Sequence, residues 1–254
     1  MANLDRIEEY VRRREFTDYI MPLWLPFLPM IIFLIADVIF FASLYAHTVK
    51  STVTFEYYRL YGIDDEIVEA LGWTTIVLLF LLYLLSCIIN VYVIYKWIWR
   101  RNEHFKRVKL LFNAIKDLLK ERGYNVSRLE MVCMEIEVEE TEKNAVLWTL
   151  LPFVPYVGWI LLIYVYHFLN KDFYRHERRE DYYLNVLSSL LPDFGYVRYN
   201  QIPERNTILY FVLTLVTFGF FGFYWIYTLT NDPNNHFIEH RRWEDQLLNV
   251  LRRL

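Results

Sequence analysis

HERREDYYLNVL (176–187) and HRRWEDQLLNVL (240–251) share eight of twelve positions: His, Arg, Glu, Asp, Leu, Asn, Val and Leu. The segment reads as an amphipathic helix. In the first copy Tyr183, Val186, Leu187, Leu190 and Leu191 fall at i, i+3, i+4, i+7 and i+8, which puts them on one helical face. Pro192 and Gly195 follow, residues that stop a helix. A more diverged copy lies upstream. Tyr92, Tyr95, Asn102, His104 and Phe105 recur 132 residues later as Tyr224, Tyr227, Asn234, His236 and Phe237. Leu111, Ile115, Leu118 and Leu119 then align with Trp243, Leu247, Val250 and Leu251. The middle copy keeps Tyr164, has LNKD (169–172) against LTND (229–232), and lacks four residues, PNNH, before FYRH matches FIEH. Four residues are close to one helical turn, so the deletion rotates the helix little.

What precedes each copy is apolar. The chain is 56% hydrophobic and 19% aromatic, well above the needs of a water-soluble domain. Four runs, at 21–46, 73–99, 146–169 and 208–229, have the apolar length of membrane segments. Aromatic clusters such as YVIYKWIW (92–99) and FGFYWIY (221–227) mark run ends, where amphipathic rings favour the bilayer–water boundary. The first run is too long, and its flank too acidic and lengthy, for a cleaved signal peptide. The expected fold is therefore an all-α integral membrane protein with a three-fold internal repeat. Each unit is an apolar run, an aromatic end, a polar link and an amphipathic helix.

The predicted organisation is an N-terminal amphipathic helix at 1–20, then a transmembrane hairpin plus helix at 21–123. The second repeat is an acidic linker, membrane segment 146–169 and helix within 124–195. The third is membrane segment 207–230 and helix within 196–254. Equivalent helices of a repeat should face the same water. The third and fourth runs must then enter and leave by one face, as re-entrant hairpins. Both have turn residues: Pro152, Pro155 and Gly158 in PFVPYVG (152–158), Gly219 and Gly222 in TFGFFG (217–222). Each half is about ten residues, about 15 Å of helix, which reaches half-way through the hydrocarbon core. The competing arrangement is a plain four-span bundle, since Pro and Gly also occur inside spanning helices. Charge follows the same division. The 47–71 connection is acidic and is expected on the extracytoplasmic side of a cell membrane. The Lys- and Arg-rich flanks of the other segments are expected to stay cytoplasmic.

TLVTFGFFGFYWIYTLTND (214–232) resembles the repeated motif of a family of uncharacterised prokaryotic membrane proteins. Gly219, Gly222, Tyr224, Trp225, Tyr227 and Asp232 carry the match, which covers under a tenth of the chain. The third run keeps Tyr164 and the LNKD tail but has VPYVGW for the Gly-rich core. The resemblance implies membrane location and tandem duplication, and no activity.

Several residues are candidates for chemistry. His176–Glu180 and His240–Glu244 each place an imidazole and a carboxylate on one helical face. Two such helices side by side would offer a His/carboxylate metal site. The commoner meaning of His-x₃-Glu is a solvated charged face, and that is the expectation, with no metal and no cofactor. His104 and His236 recur at the link and are expected at helix entry, with Asn102 and Asn234 bonding local backbone. Asp37 is an intramembrane acid, accompanied at depth by Ser86 and Asn90. Antiparallel depth puts residues near 83–87 opposite it, with Ser86 a candidate partner. LEMVCMEIEVEETEKN (129–144) is expected to be a solvated acidic loop, a short edge strand or a frayed helix.

Net charge is −3, which gives no basic footprint for nucleic acid. Cys87 and Cys133 alone build no disulfide framework or thiol cluster. No Walker-type loop, G-x-S-x-G elbow or His-Glu-x-x-His occurs, so an enzyme is not expected. The expected partners are the lipid bilayer and further copies of the chain through the amphipathic helices. The expected function is a membrane-embedded scaffold, self-assembling or membrane-shaping. The alternative is a homo-oligomeric channel or transporter using Asp37.

Overall fold

The chain is helical throughout its regular structure, with no strand among the described residues. The computed structural model describes residues 2–61 and 65–254, and the side chains of 3–45 and 72–254. The acidic connection 47–71, expected on the extracytoplasmic side, has its side chains outside the described residues. Eight α-helices are described: α1 (Ala2–Thr17), α2 (Leu28–Tyr61), α3 (Asp65–Glu121), α4 (Ser127–Glu139), α5 (Ala145–Leu150), α6 (Gly158–Leu190), α7 (Thr207–Val216) and α8 (Phe220–Leu251). The acidic stretch is thus helix α4, with neither strand nor loop character over 127–139. Contacts divide the chain into two units, Trp24–Val93 and Met1–Leu23 with Ile94–Leu254.

Unit Trp24–Val93 contains α2 and the first part of α3. Leu25–Tyr45 and Gly72–Glu121 are long and apolar enough to cross a membrane, by length and composition. Phe33, Leu34, Val38, Phe41, Trp73 and Phe80 are all exposed. Asp37 is held inside this unit. The Tyr83 hydroxyl donates to its Oδ1 at 2.8 Å, and Phe33 meets the Tyr83 ring edge-on at 5.2 Å. Ser86, the expected partner, instead donates to the Pro29 carbonyl at 2.8 Å. Tyr83 belongs to the stretch 83–87 expected opposite Asp37. The longer tyrosine is the side chain that reaches the carboxylate. Asn90 lies in the same unit, half-buried.

The second unit is a bundle of α1, α4 and the polar parts of α3, α6 and α8. The three apolar stripes read from the sequence meet in one core. Leu111, Ile115, Leu118 and Leu119 pack with Tyr183, Val186, Leu187 and Leu191, and with Trp243, Leu247 and Leu251. Phe112 stacks flat on Tyr183 at 3.8 Å, and the Tyr183 hydroxyl donates to the Phe112 carbonyl at 2.8 Å. Helix α1 adds Ile7 and Val11, and α4 adds Leu129, Val132, Cys133 and Ile136. Each buried aliphatic side chain contributes about 1.5–3 kcal/mol. Helix α3 ends at Gly123, whose φ of 83° lets Tyr124 N–H return to the Leu119 carbonyl at 3.0 Å, closing the helix.

The expected polar link between apolar run and amphipathic helix is absent. Helices α6 and α8 each run unbroken from an apolar start into the polar bundle, over 33 and 32 residues. Pro233 lies inside α8 and has no N–H to give Leu229, four residues earlier. Arg100 supplies the missing donor: its Nη2 lies 2.8 Å from the Leu229 carbonyl. Asn102 and Asn234 correspondingly lie within helices, away from helix entry. Each clamps a distant peptide. Asn102 Oδ1 accepts from Lys143 N, and Asn102 Nδ2 donates to Lys143 O. Asn234 Oδ1 accepts from Met21 N, and Asn234 Nδ2 donates to Met21 O.

Both short apolar runs reverse direction. Helix α5 continues into a tight turn at Leu151–Phe153, and α6 begins at Gly158. Helix α7 has ten residues and gives way at 217–219 to α8. The first turn needs Gly158, because a Cβ there would collide with the Pro152 carbonyl. The second needs Gly219, at φ 93°, a conformation other residues rarely adopt. Gly222 lies just inside α8, where a Cβ would meet Thr214 at 3.4 Å. Asn144 and Asn206 cap α5 and α7 in the same way, each accepting from the N–H three residues on. Tyr156 and Phe218, at the turns, are 95% and 94% exposed.

Candidate metal centre

Of the His-Arg-Glu-Asp faces expected to be solvated, the His and Glu members are interior, while Arg178 and Asp245 are exposed. His176, Glu180, His240 and Glu244 are each no more than 1% exposed. Their helices turn these faces toward one another and toward α3, where His104 is equally buried, as is His236 on α8. His176 and Glu180, and His240 and Glu244, are i,i+4 neighbours on their helices, but spacing within one helix says nothing of which helix lies opposite. One ring nitrogen from each of His104, His176, His236 and His240 lies within 4.8 Å of those of the other three.

The imidazoles share one orientation. Each Nδ1 is held by its own carboxylate: His104 by Asp18 at 2.9 Å, His176 by Glu140 at 3.0 Å, His236 by Glu177 at 3.2 Å and His240 by Glu244 at 3.2 Å. A carboxylate accepts and does not donate, so each Nδ1 carries a proton, and each ring in its neutral form presents the Nε2 lone pair. The Nε2 atoms converge. His104 Nε2 and His236 Nε2 are 3.1 Å apart.

Glu180 faces the same point. Its Oε1 is 2.9 Å from His240 Nε2, and its Oε2 is 3.4 Å from His236 Nε2 and 3.9 Å from His176 Nε2. None of these contacts has hydrogen-bond geometry. Both Glu180 oxygens, His176 Nε2 and His240 Nε2 are buried without a hydrogen-bond partner. Burying a carboxylate in that state is costly unless a cation answers it.

Arginines brace the outside. Arg107 donates to Glu244 at 2.6 Å and to Asp18 at 2.8 Å. Arg198 donates to Glu177 at 3.2 Å and lies 3.2 Å from Glu180. Arg179 reaches Glu140 at 3.3 Å. Arg14 lies 3.5 Å from Glu244 and Arg178 4.0 Å from Glu177, so Asp18, Glu140, Glu177, Glu180 and Glu244 are each answered by a guanidinium. Burial pushes the His236 imidazole well below its ordinary range against the pull of Glu180. Burial pushes His240 the same way, but Glu180 and Glu244 outweigh it and raise it to about 9. Burial pushes the Glu180 carboxyl up, but His240, Arg198 and His236 outweigh it and hold it well below the usual carboxylate range.

Residues 205–245 match the family model of a domain of unknown function, DUF4234. The matched stretch contains the turn glycines Gly219 and Gly222, the two α8 imidazoles and Glu244. No curated protein matches the chain, and no solved structure does.

Of the sequence candidates, His104, His176, Glu180, His236, His240 and Glu244 come together. Asp37, Ser86 and Asn90 belong to the other unit, and Pro152, Pro155, Gly158, Gly219 and Gly222 belong to the hairpin turns. Asp18, Glu140, Glu177, Arg107 and Arg198 were not singled out. Glu177 adjoins His176, and Glu140 sits in the acidic stretch read as solvated, although it is only 4% exposed. Asp18 and Arg198 lie outside the regular helices, so no periodicity marks them.

Proposed function

We propose that this chain is a multi-pass membrane protein built on a three-fold repeat, with its polar helices gathered into one bundle at a single membrane face. Its role is non-catalytic. It anchors a sealed helical assembly to the membrane, as a scaffold, around the buried His/carboxylate centre. The observation that carries this reading is the reversal of both short apolar runs, at 153–157 and at 217–219. Helix α7 rises about 15 Å, half the hydrocarbon thickness. Its exposed surface is Ile208, Leu209, Val212, Leu215 and Val216, which suits lipid and not water. A hairpin of that depth returns to the face it entered, so the His176 and His240 segments share one side. Half-depth hairpins also occupy one leaflet more than the other, which favours curved membrane.

The channel reading has less support. Asp37 accepts the Tyr83 hydroxyl within its own hairpin, an arrangement suited to holding two helices together.

The test is cysteine accessibility in a background lacking Cys87 and Cys133. Cysteines placed at Tyr182 and Arg241, both exposed, should be labelled from the same side of sealed vesicles. A cysteine at Phe218 should resist water-soluble reagents. Labelling of Tyr182→Cys and Arg241→Cys from opposite sides contradicts the reading.

A further inference from the structure

We infer that His104, His176, His236 and His240, with Glu180, bind one divalent first-row transition-metal ion that accepts five or six donors. This inference stands on the bundle alone and holds whichever way the apolar hairpins meet a membrane.

The contact between His104 Nε2 and His236 Nε2 carries it. Both rings commit their Nδ1 protons to carboxylates, so two lone pairs face each other at 3.1 Å. Two acceptors at that distance repel unless something positive lies between them. Metal–imidazole bonds of about 2.0–2.1 Å place neighbouring nitrogens about 3.0 Å apart at octahedral angles and about 3.4 Å apart at tetrahedral ones. Glu180 stands at matching distances, 2.9 Å from His240 Nε2 and 3.4 Å from His236 Nε2. The absence of hydrogen-bond geometry in those contacts is what two ligands of one ion show, because both point at the metal and not at each other.

The surroundings agree independently. Ligating imidazoles usually give their other N–H to a carboxylate, which fixes the tautomer and strengthens the donor. All four do so here. The donor set is nitrogen with one carboxylate and no thiolate, since Cys133 packs in the apolar core. Imidazole suits Fe, Ni, Cu and Zn, and carboxylate suits Mn. Five protein donors exceed the four that structural zinc ordinarily takes, so Fe(II), Mn(II), Co(II) or Ni(II) is favoured over Zn(II). Ligands no more than 1% exposed screen the ion from bulk water, which fits an ion that ties α3, α6 and α8 together.

The experiment uses the full chain, purified in detergent, stripped with a chelator and reloaded with Mn(II), Fe(II), Co(II), Ni(II) or Zn(II) singly. The expected result is one ion per chain, and for Co(II) the weak visible bands of a five- or six-coordinate ion. Glu180→Gln should weaken Co(II) binding at least about tenfold and alter its spectrum, with helicity by circular dichroism unchanged. If that variant does not fold, the wild-type cobalt spectrum decides, because intense tetrahedral bands exclude a fifth protein ligand. A fully helical wild-type chain that retains none of the five ions overturns the proposal. So does a folded Glu180→Gln with unaltered cobalt affinity and spectrum.

Discussion

His104 Nε2 lies 3.1 Å from His236 Nε2, with the opposite nitrogen of each ring bound to a carboxylate. The two residues are 132 positions apart, on α3 and α8. Their approach costs electrostatic energy in the absence of an ion, and an ion turns that cost into stability. At a free concentration one hundred times Kd, bound metal is expected to raise the unfolding free energy by about 2.7 kcal/mol. Thermal unfolding of the detergent-purified chain, with metal and with excess chelator, measures the difference. Equal midpoints would show that the cluster is stable without an ion.

Glu177 acts on the centre through His236. It also accepts the Ile202 N–H at 2.7 Å and the Arg198 guanidinium. Glu177→Gln keeps an acceptor for the backbone and removes the charge behind the imidazole. Metal affinity should fall about 10–100-fold, read by competition with a chelator of known affinity, with helicity retained.

Arg100 does a different job. It has no carboxylate partner among its hydrogen bonds, and donates to the Leu229 carbonyl and to Asn234 Oδ1. Arg100→Met should destabilise the bundle by about 1–3 kcal/mol, since it leaves buried acceptors unpaired. Pro233→Ala restores the N–H that Leu229 lacks. In that background the cost of Arg100→Met should shrink, and a double-mutant cycle reads the coupling.

The hairpin turns make a paired prediction. Gly158→Ala drives a Cβ into the Pro152 carbonyl and should destabilise by about 1–3 kcal/mol. Gly195→Ala meets nothing within 4 Å and should stay within about 0.5 kcal/mol of wild type. Thermal unfolding of the two variants side by side tests the turn geometry.

Asp37→Asn preserves an acceptor for the Tyr83 hydroxyl, and Asp37→Ala does not. The first should leave the hairpin's stability unchanged and the second should cost about 1 kcal/mol. Ion flux through proteoliposomes should be the same for wild type and Asp37→Asn. Flux present in wild type and lost in Asp37→Asn would favour the channel reading.

The helices were legible because their signal is local. The stripes of Leu111 to Leu119, Tyr183 to Leu191 and Trp243 to Leu251 are each written at helical spacing, and all enter one core. The Pro and Gly positions likewise announced both chain reversals. The site was legible only in its ingredients. His176–Glu180 and His240–Glu244 look the same on paper whether a helix faces water or another helix. Only tertiary packing decides, and here both faces turn inward, where His104 of α3 meets them. Three of the four carboxylates that orient the rings come from a loop after α1, the end of α4 and a neighbour of His176, places with no common period; the fourth, Glu244, is the i+4 partner of His240. Pro233 removes a helical hydrogen bond inside α8. The replacement donor, Arg100, lies 129 residues away from Leu229, beyond the reach of any local pattern.

X-ray absorption at the metal edge of the purified, reloaded chain tests the centre most directly. The account predicts a first shell of about five nitrogen and oxygen donors at about 2.0–2.2 Å, with the outer-shell scattering of several imidazole rings, reduced by one ring when His236 is replaced by alanine in a folded chain. A shell without imidazole scattering, or a spectrum indifferent to that replacement, would contradict it.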